Sequence, residues 1–355
     1  MNSNQPAQLP PTGPLNALLD EAGLHGPVML QAVVGGRNNR AWRMDLANGA
    51  CYFVKEYFSH PSDPRDRLRA EWDFAQFAWT AGLRTLPRPM AMNPSGRLAL
   101  YEFIDGVSFS PGDIGRTEVQ AAIDFLTELN QHRFDPGGRS LANASDSQFS
   151  LIDHLQHVER RLLRMDDIQD RDDVSREVRD FCHTVLHPTF REMAKATTSA
   201  ARRRGENPEE PLPAHSRIIS PSDFGFHNAL NRPTLGIVFL DFEYAGWDDP
   251  AKTLGDFFAQ PAVPIPNSFW NEVLTRIARA FSWKPSDEAR CTLHRPIHTL
   301  KWAALVLNEF LPTDRSRRMF ADADALRDTR LRKQLALARE IANAAIAQMH
   351  CGNCQ

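Results

Sequence analysis

The segment Ile218-Ile219-Ser220-Pro221-Ser222-Asp223-Phe224-Gly225-Phe226-His227-Asn228 and, a little further on, Ile237-Val238-Phe239-Leu240-Asp241-Phe242-Glu243-Tyr244-Ala245-Gly246 decide how this chain is read. The first part sets an acid, Asp223, ahead of an amide, Asn228, with four residues between them. Ser-Pro-Ser before the acid and Phe-Gly-Phe after it mark an irregular loop. In the second part the apolar run Ile237 to Leu240 reads as a short buried strand that ends at Asp241.

Two acids and an amide in this order suit phosphoryl transfer. Moving a terminal phosphoryl group requires Mg2+ held against phosphate oxygens and a carboxylate that orients the acceptor hydroxyl and takes its proton. Magnesium prefers hard oxygen ligands and keeps several waters, so one carboxylate and one amide oxygen from the protein suffice. Asn228 and Asp241 fit as metal ligands, which leaves Asp223 as the base.

The stretch resembles the aminoglycoside phosphotransferase and choline/ethanolamine kinase group, small-molecule kinases on the protein-kinase-like fold. Leu240-Asp241-Phe242-Glu243-Tyr244-Ala245-Gly246 is similar to the metal-binding strand of that group, with Glu243 where a protein kinase carries glycine. The resemblance implies an α+β, bilobal protein-kinase-like fold, with a small antiparallel-sheet N-lobe and a larger, mainly helical C-lobe. It also implies ATP and Mg2+ as cofactors and a hydroxyl of a small molecule as acceptor.

Upstream, Val28 to Val34, Ala41 to Leu46 and Ala50 to Phe58 read as consecutive antiparallel strands. Asn48-Gly49 predicts a type I′ hairpin between the second and third. The longer turn Gly35-Gly36-Arg37-Asn38-Asn39-Arg40 lets backbone approach an anion, and Gly35, Gly36 and Asn39 are candidates to cover ATP phosphates. Lys55 follows three apolar residues on the third strand, so its charge needs an anionic partner; the resemblance gives it the α and β phosphates. A helix over Pro64 to Gly82 carries the stripe Leu68, Trp72, Ala75 and Trp79. The resemblance makes Glu71 the ion-pair partner of Lys55, with Asp73 as the alternative. Leu98 to Ile104 reads as the last strand before a hinge, where backbone at Glu102, Phe103 and Ile104 would meet adenine.

Beyond the hinge the pattern is helical. Expected helices cover Thr117 to Gln131, Ser147 to Met165, Asp173 to Thr198, Asn267 to Ala280, Ala289 to Phe310 and Ala321 to Met349, preceded at the N-terminus by one over Asn16 to Gly23. The predicted divisions are a disordered 1–14, a nucleotide-binding lobe 15–104, a catalytic and substrate-binding lobe 105–350, and a tail 351–355. Two departures from the related group stand out. Pro221 replaces a histidine that braces the catalytic loop, leaving proline stiffness and the Ser220 and Ser222 hydroxyls to do so. Thr253 replaces an aspartate, for which Asp256 is the substitute anchor of that loop. In the related group the C-terminal helices wall the acceptor pocket, which puts Trp247, His298, Trp302 and Glu309 forward as its side chains.

Composition bounds the partners. A formal net charge of -3 over 355 residues gives no basic field for nucleic acid, and no apolar run approaches a bilayer span, so a cytoplasmic protein without a membrane partner is expected. Five scattered cysteines suit a reducing compartment, and Cys351-Gly352-Asn353-Cys354 alone is two ligands short of a zinc site. His183/His187 and His294/His298 each have helical spacing for metal but lack a third ligand in sequence, which makes them ordinary helix residues. A nucleotide-binding pseudokinase would lack the base or a metal ligand, and neither is missing. A protein kinase would carry the glycine and a downstream A-P-E segment, and both are absent. A sugar or amino alcohol fits as acceptor better than an aminoglycoside, since the substrate segment has no acidic cluster.

Overall fold

The computed structural model describes residues 9–33, 39–60, 63–232, 235–311 and 327–352. Gly35, Gly36 and Cys354 lie outside the described residues. The chain forms two compact units, Met1–Ser145 with Ile219–Trp247, and Asp146–Ile218 with Asp248–Gln355. Among the described residues no helix is long and apolar enough to cross a membrane.

The first unit opens with α1 (Thr12–Glu21), β1 (Val28–Ala32), β2 (Arg40–Leu46), β3 (Cys51–Glu56), α2 (Arg67–Thr80), β4 (Pro89–Asn93) and β5 (Leu98–Glu102). The five strands pair antiparallel in the order β1-β2-β3-β5-β4. Strand alternation sorts the side chains: Trp42, Met44, Leu46, Val54, Leu98 and Leu100 join Leu15, Leu18 and Leu19 of α1 in one apolar cluster. Lys55, next to Val54, therefore faces the other way. Then come β6 (Val107–Ser108), α3 (Arg116–Gln131), the short α4 (Pro136–Arg139), β7 (Ile218–Ser220), β8 (Ala229–Arg232), β9 (Gly236–Phe239) and β10 (Gly246–Asp248), with β6, β8 and β9 in a second antiparallel sheet.

The small antiparallel sheet and the helical bulk agree with the expected fold class; several local details do not. The first helix starts at Thr12, inside the segment read as disordered, because Leu15, Leu18 and Leu19 gain a buried face only if the helix begins ahead of them. The β2–β3 turn is not type I′. Of its loop only Gly49 has positive φ, at 85°, and its N–H donates to the Leu46 carbonyl, so an ordinary turn ends in a left-handed glycine. In α2 the Asp66 carboxylate caps the helix at Arg69 N–H, and the buried face is Leu68, Glu71, Phe74, Ala75 and Ala78, with Trp72 and Trp79 on its flank. The strand β4 and the strands β7 and β8 on either side of Asp223 are too short for periodicity to announce.

The second unit contains α5 (Leu151–Leu163), α6 (Asp173–Phe181), α7 (His187–Arg203), α8 (Pro250–Ala259), α9 (Trp270–Ala280), α10 (Pro285–Val306) and α11 (Arg327–Gly352). One stripe of α5, Leu151, Leu155, Val158 and Leu162, is buried, and with Val178, Phe181, Leu300, Ala304, Leu335 and Ala342 it forms one core. The single helix predicted over Asp173 to Thr198 is broken by a wide turn over Cys182–Leu186. Pro188 explains it: with no N–H, it cannot bond the Thr184 carbonyl, and the backbone loosens in the turn before. Helix α8, not foreseen, is buried on every side and is capped by the Asp249 side chain at Ala251 N–H.

His157 on α5 is buried, and its Nε2 accepts a hydrogen bond from Arg161 Nε at 2.8 Å. Burial, reinforced by the Arg161 and Lys301 charges, pulls its pKa down to about 3. Below an ordinary histidine value of about 6.5 the unfolded chain therefore binds a proton that the folded chain does not, and stability falls with pH. In urea unfolding between pH 6.5 and 4, the wild type is expected to lose up to about 1.4 kcal/mol per pH unit more than His157→Gln. Parallel pH profiles for the two would show that this ring is not a source of the dependence.

Candidate active site

The site residues of the first unit come from three places: β3, α2 and the Ile219–Trp247 segment. Lys55 Nζ lies 2.6 Å from Glu71 Oε2 and 2.6 Å from Asp241 Oδ1. The lysine and glutamate side chains are 8% and 7% exposed, whereas that of Asp241 is 42% exposed. Burial pulls the Lys55 pKa down, but Asp241, Glu71 and Glu243 together outweigh it and hold the ammonium protonated. Tyr57 Oη donates to Glu71 Oε2 at 2.8 Å and lies 2.9 Å from Tyr101 Oη, so the inner carboxylate is fixed from two sides. Of the two partners considered for Lys55, the one in contact is Glu71; Asp73 pairs with Arg69.

The loop carrying Asp223 is held by what surrounds it. Its entry is fixed by Asn130 of α3, fully buried, whose Nδ2 donates to the Ile219 carbonyl and whose Oδ1 accepts from Ile219 N–H, at 2.9 and 2.8 Å. Ser220 Oγ accepts from Ser222 N–H at 3.0 Å. The larger brace is aromatic. Phe224 and Phe239 lie 5.7 and 4.8 Å from Phe125, and Phe242 lies 6.1 Å from it, centroid to centroid. Phe224, Phe226, Phe239 and Phe242 thus act as pegs that leave the polar residues between them projecting. Ser222 and Asp241 hold left-handed backbone, with φ of 67° and 63°. Such strain in non-glycine residues persists only where the surroundings over-determine it.

Asp223 and Asn228 are adjacent in space. The Asn228 Nδ2 donates to the Asp223 carbonyl at 3.0 Å, so its amide oxygen is the end left to serve as a ligand. Leu240 N–H donates to the Asn228 carbonyl at 2.8 Å, which extends the β8–β9 ladder and brings Asn228 within one residue of Asp241. His227 Nε2 lies 3.2 Å from Asp223 Oδ1, a contact that sequence did not foretell. Hard oxygen donors on Asp241 and Asn228 fit a magnesium-class ion.

Other candidates are placed as follows. Asn39, expected at phosphate, has both ends of its carboxamide on protein: Oδ1 accepts from Phe58 N–H, and Nδ2 donates to Glu243 at 2.5 Å. Glu243 is buried, with Arg67 Nε 3.8 Å away, and Arg67 itself is paired with Asp63. The Glu102 N–H is spent on the Arg88 carbonyl; Phe103 lies under the Arg43 guanidinium at 4.8 Å; Ile104 is buried. The side chains put forward for the acceptor pocket make these contacts: Trp247 Nε1 donates to the Gly138 carbonyl, Trp302 Nε1 donates to Asp256, Glu309 pairs with Arg330, and the His298 ring lies 5.0 Å from that of His154. Asp256, expected as an anchor of the Asp223 loop, is engaged within its own unit. Its oxygens go to Lys301 at 2.6 Å and to Trp302, because the α8 turn that carries it faces α10.

The profile of the phosphotransferase enzyme family matches residues 30–294. The chain belongs to that family. No curated protein sequence matches it. Among solved structures, this phosphotransferase is similar to a spectinomycin phosphotransferase in complex with ADP and spectinomycin, with a TM-score of 0.59, 11% identity, and 97% of this chain and 99% of that one covered. It is also similar to a choline/ethanolamine kinase family protein from Mesorhizobium loti (TM-score 0.55, 17% identity, 94% and 98% covered). A third is an amicoumacin kinase in complex with AMP-PNP and Ca2+ (0.54, 12%, 89% and 88%). At these identities the likeness is one of fold.

Asn130 carried no functional signal except that it was a polar residue on an apolar helix face. Asn130→Leu would leave two buried backbone groups of Ile219 unpaired, each costing about 1–3 kcal/mol. A loss of about 2–4 kcal/mol in urea unfolding is expected; a change under 0.5 kcal/mol would mean that the loop entry is held by something else.

Proposed function

We propose that this phosphotransferase moves the γ-phosphoryl group of ATP, in the presence of Mg2+, to a hydroxyl of a small molecule, a sugar or amino alcohol. The observation that carries the reading is Lys55 held between Glu71 and Asp241. One ammonium between two carboxylates leaves one negative charge over, and the more exposed carboxylate, Asp241, is where a divalent cation is favoured. Bound there, the metal–nucleotide would supply the phosphoryl group and neutralise charge as it is transferred. On this reading 15–104 form the nucleotide-binding lobe and 105–350 the catalytic and acceptor lobe.

Each residue then has a task. Asp241 and the Asn228 amide oxygen hold the metal. Lys55, kept protonated, meets the α and β phosphates, and Glu71 holds it extended. Backbone at Glu102 to Ile104 meets adenine, and the Gly35-Gly36 turn covers phosphate. Asn39 supports that turn through Glu243 and Phe58. Asp223 orients the acceptor hydroxyl and takes its proton, and His227 aligns the carboxylate. The supports are the order of these groups along the chain, the strain at Ser222 and Asp241, and the family.

Asp223→Asn, purified folded, is expected to turn over ATP with an acceptor on the order of 100-fold more slowly, while keeping its thermal shift with Mg-ATP. Lys55→Ala is expected to lose most of that shift. Wild-type turnover by Asp223→Asn would remove the base assignment, and an unchanged shift in Lys55→Ala would remove the nucleotide assignment.

A further inference from the structure

Three histidines meet inside the second unit; one of them, His298, is among the side chains put forward for the acceptor pocket, and none of the three has a task in the phosphoryl transfer proposed above. His294 and His298 stand one turn apart on α10, so both side chains lie on one face of that helix. His154 comes from α5, with ring centroids 5.1 Å from His294 and 5.0 Å from His298. All three are at most 2% exposed, and one ring nitrogen from each lies within 4.8 Å of the others. The third ligand that the sequence lacked next to the His294/His298 pair is thus supplied from 140 positions upstream (294 − 154).

These rings are not satisfied core histidines. Both nitrogens of His298 and Nδ1 of His294 are buried without a hydrogen-bond partner among the described residues. Leaving a buried polar atom unpartnered is costly, so three in one place call for an occupant. Burial first, then Arg290 beside His294 and Lys301 beside His298, holds both rings well below the ordinary histidine pKa.

A supporting shell is already in place. His154 Nε2 lies 2.9 Å from Asp249 Oδ2; that carboxylate caps α8 and is gripped by the Arg290 guanidinium, with Nη1 2.7 Å from Oδ1. With metal on Nδ1 of His154, the carboxylate on Nε2 would fix the tautomer of the ring and raise its basicity as a ligand. Gly255 makes room: a Cβ there would come within 2.8 Å of the His298 side chain. Three of the nearby cationic groups are paired, Arg290 with Asp249, Lys252 with Asp248 and Lys301 with Asp256, so their charges are compensated where a cation would arrive.

We propose that His154, His294 and His298 bind a divalent transition metal of the zinc class, with water in the fourth position. Imidazole ligands favour zinc over magnesium, and an i, i+4 pair plus one residue from a second helix is a facial three-nitrogen set. Ligand nitrogens around tetrahedral zinc stand about 3.3 Å apart for Zn–N of about 2.0 Å, so small ring rotations complete the site. The metal would tie α5 to α10 and serve the fold, independently of phosphoryl transfer.

The test uses the full chain, stripped with chelator, then titrated with Zn2+ by calorimetry and with Co2+ by visible absorption. One equivalent is expected to bind, with the intense bands of four-coordinate cobalt and a rise in Tm. The His294→Gln/His298→Gln double variant is expected to weaken binding on the order of 100-fold or more. A His183→Gln/His187→Gln variant, which removes the exposed pair beside Asp166, is expected to bind as the wild type. Histidine 15N spectra of the wild type need no variant, and three imidazoles should shift together with one equivalent of metal. No binding by the wild type, which would mean a buried water only, overturns the proposal. So does binding that survives in the folded double variant, or that vanishes with His183 and His187.

Discussion

A buried ammonium must have its charge answered, and the first unit is arranged around that requirement. Lys55 sits on the face of the sheet turned away from α1, where leaving it unpaired would cost several kcal/mol. Two carboxylates meet it, one from α2 and one from the end of β9's run, and each brings its element into place. Pairing Lys55 with Glu71 fixes the rotation of α2 about its axis, which is why the buried face of that helix centres on Glu71 and Phe74 and not on its tryptophans. Pairing it with Asp241 fixes the turn after β9. One point charge thereby sets the positions of a helix and a loop that share no hydrogen-bond ladder.

The Asp223 loop solves a different problem. A loop that must present polar groups cannot be rigid through those groups alone, and here rigidity comes from phenylalanines between them. The alternation of Asp223, Phe224, Phe226, Asn228, Asp241 and Phe242 assigns apolar residues to the Phe125 centre and polar ones to the open side. Edge-to-face and offset aromatic pairs of this kind contribute about 0.5–1.5 kcal/mol each beyond their buried area. They work against the cost of the left-handed backbone at Ser222 and Asp241, about 1–3 kcal/mol per residue.

Much of this is legible in the sequence because the signals are local. An apolar run ending in an acid, a lysine after three apolar residues and a long apolar stripe each depend on neighbours within a turn or a strand. Lys55, Asp223, Asn228 and Asp241 can therefore be named from the sequence, and the family resemblance adds Glu71. What is not legible depends on distant partners. Asn130 looks like a blemish on an apolar face because its reason lies 89 residues away at Ile219. Asp256 looks like a loop anchor until α10 presents Lys301. The His294/His298 pair looks incomplete because the third ring comes from another helix. The missed type of the β2–β3 turn has another cause: Asn-Gly suits two turn geometries, and the flanking residues decide between them.

The first unit is assembled from two pieces of chain, with Asp146–Ile218 between them belonging to the other unit. Translation order therefore matters. Lys55 and Glu71 leave the ribosome close together, but Asp241 follows Lys55 by 186 residues, a lag of roughly 10–40 s at 5–20 residues per second. Throughout that interval the sheet has its lysine and only one of its two counter-charges, and Phe125 has none of the aromatic pegs that later surround it. A nascent chain of this protein passes through a stage in which its buried ammonium and its Phe125 centre are both waiting for the same segment, Ile219–Trp247.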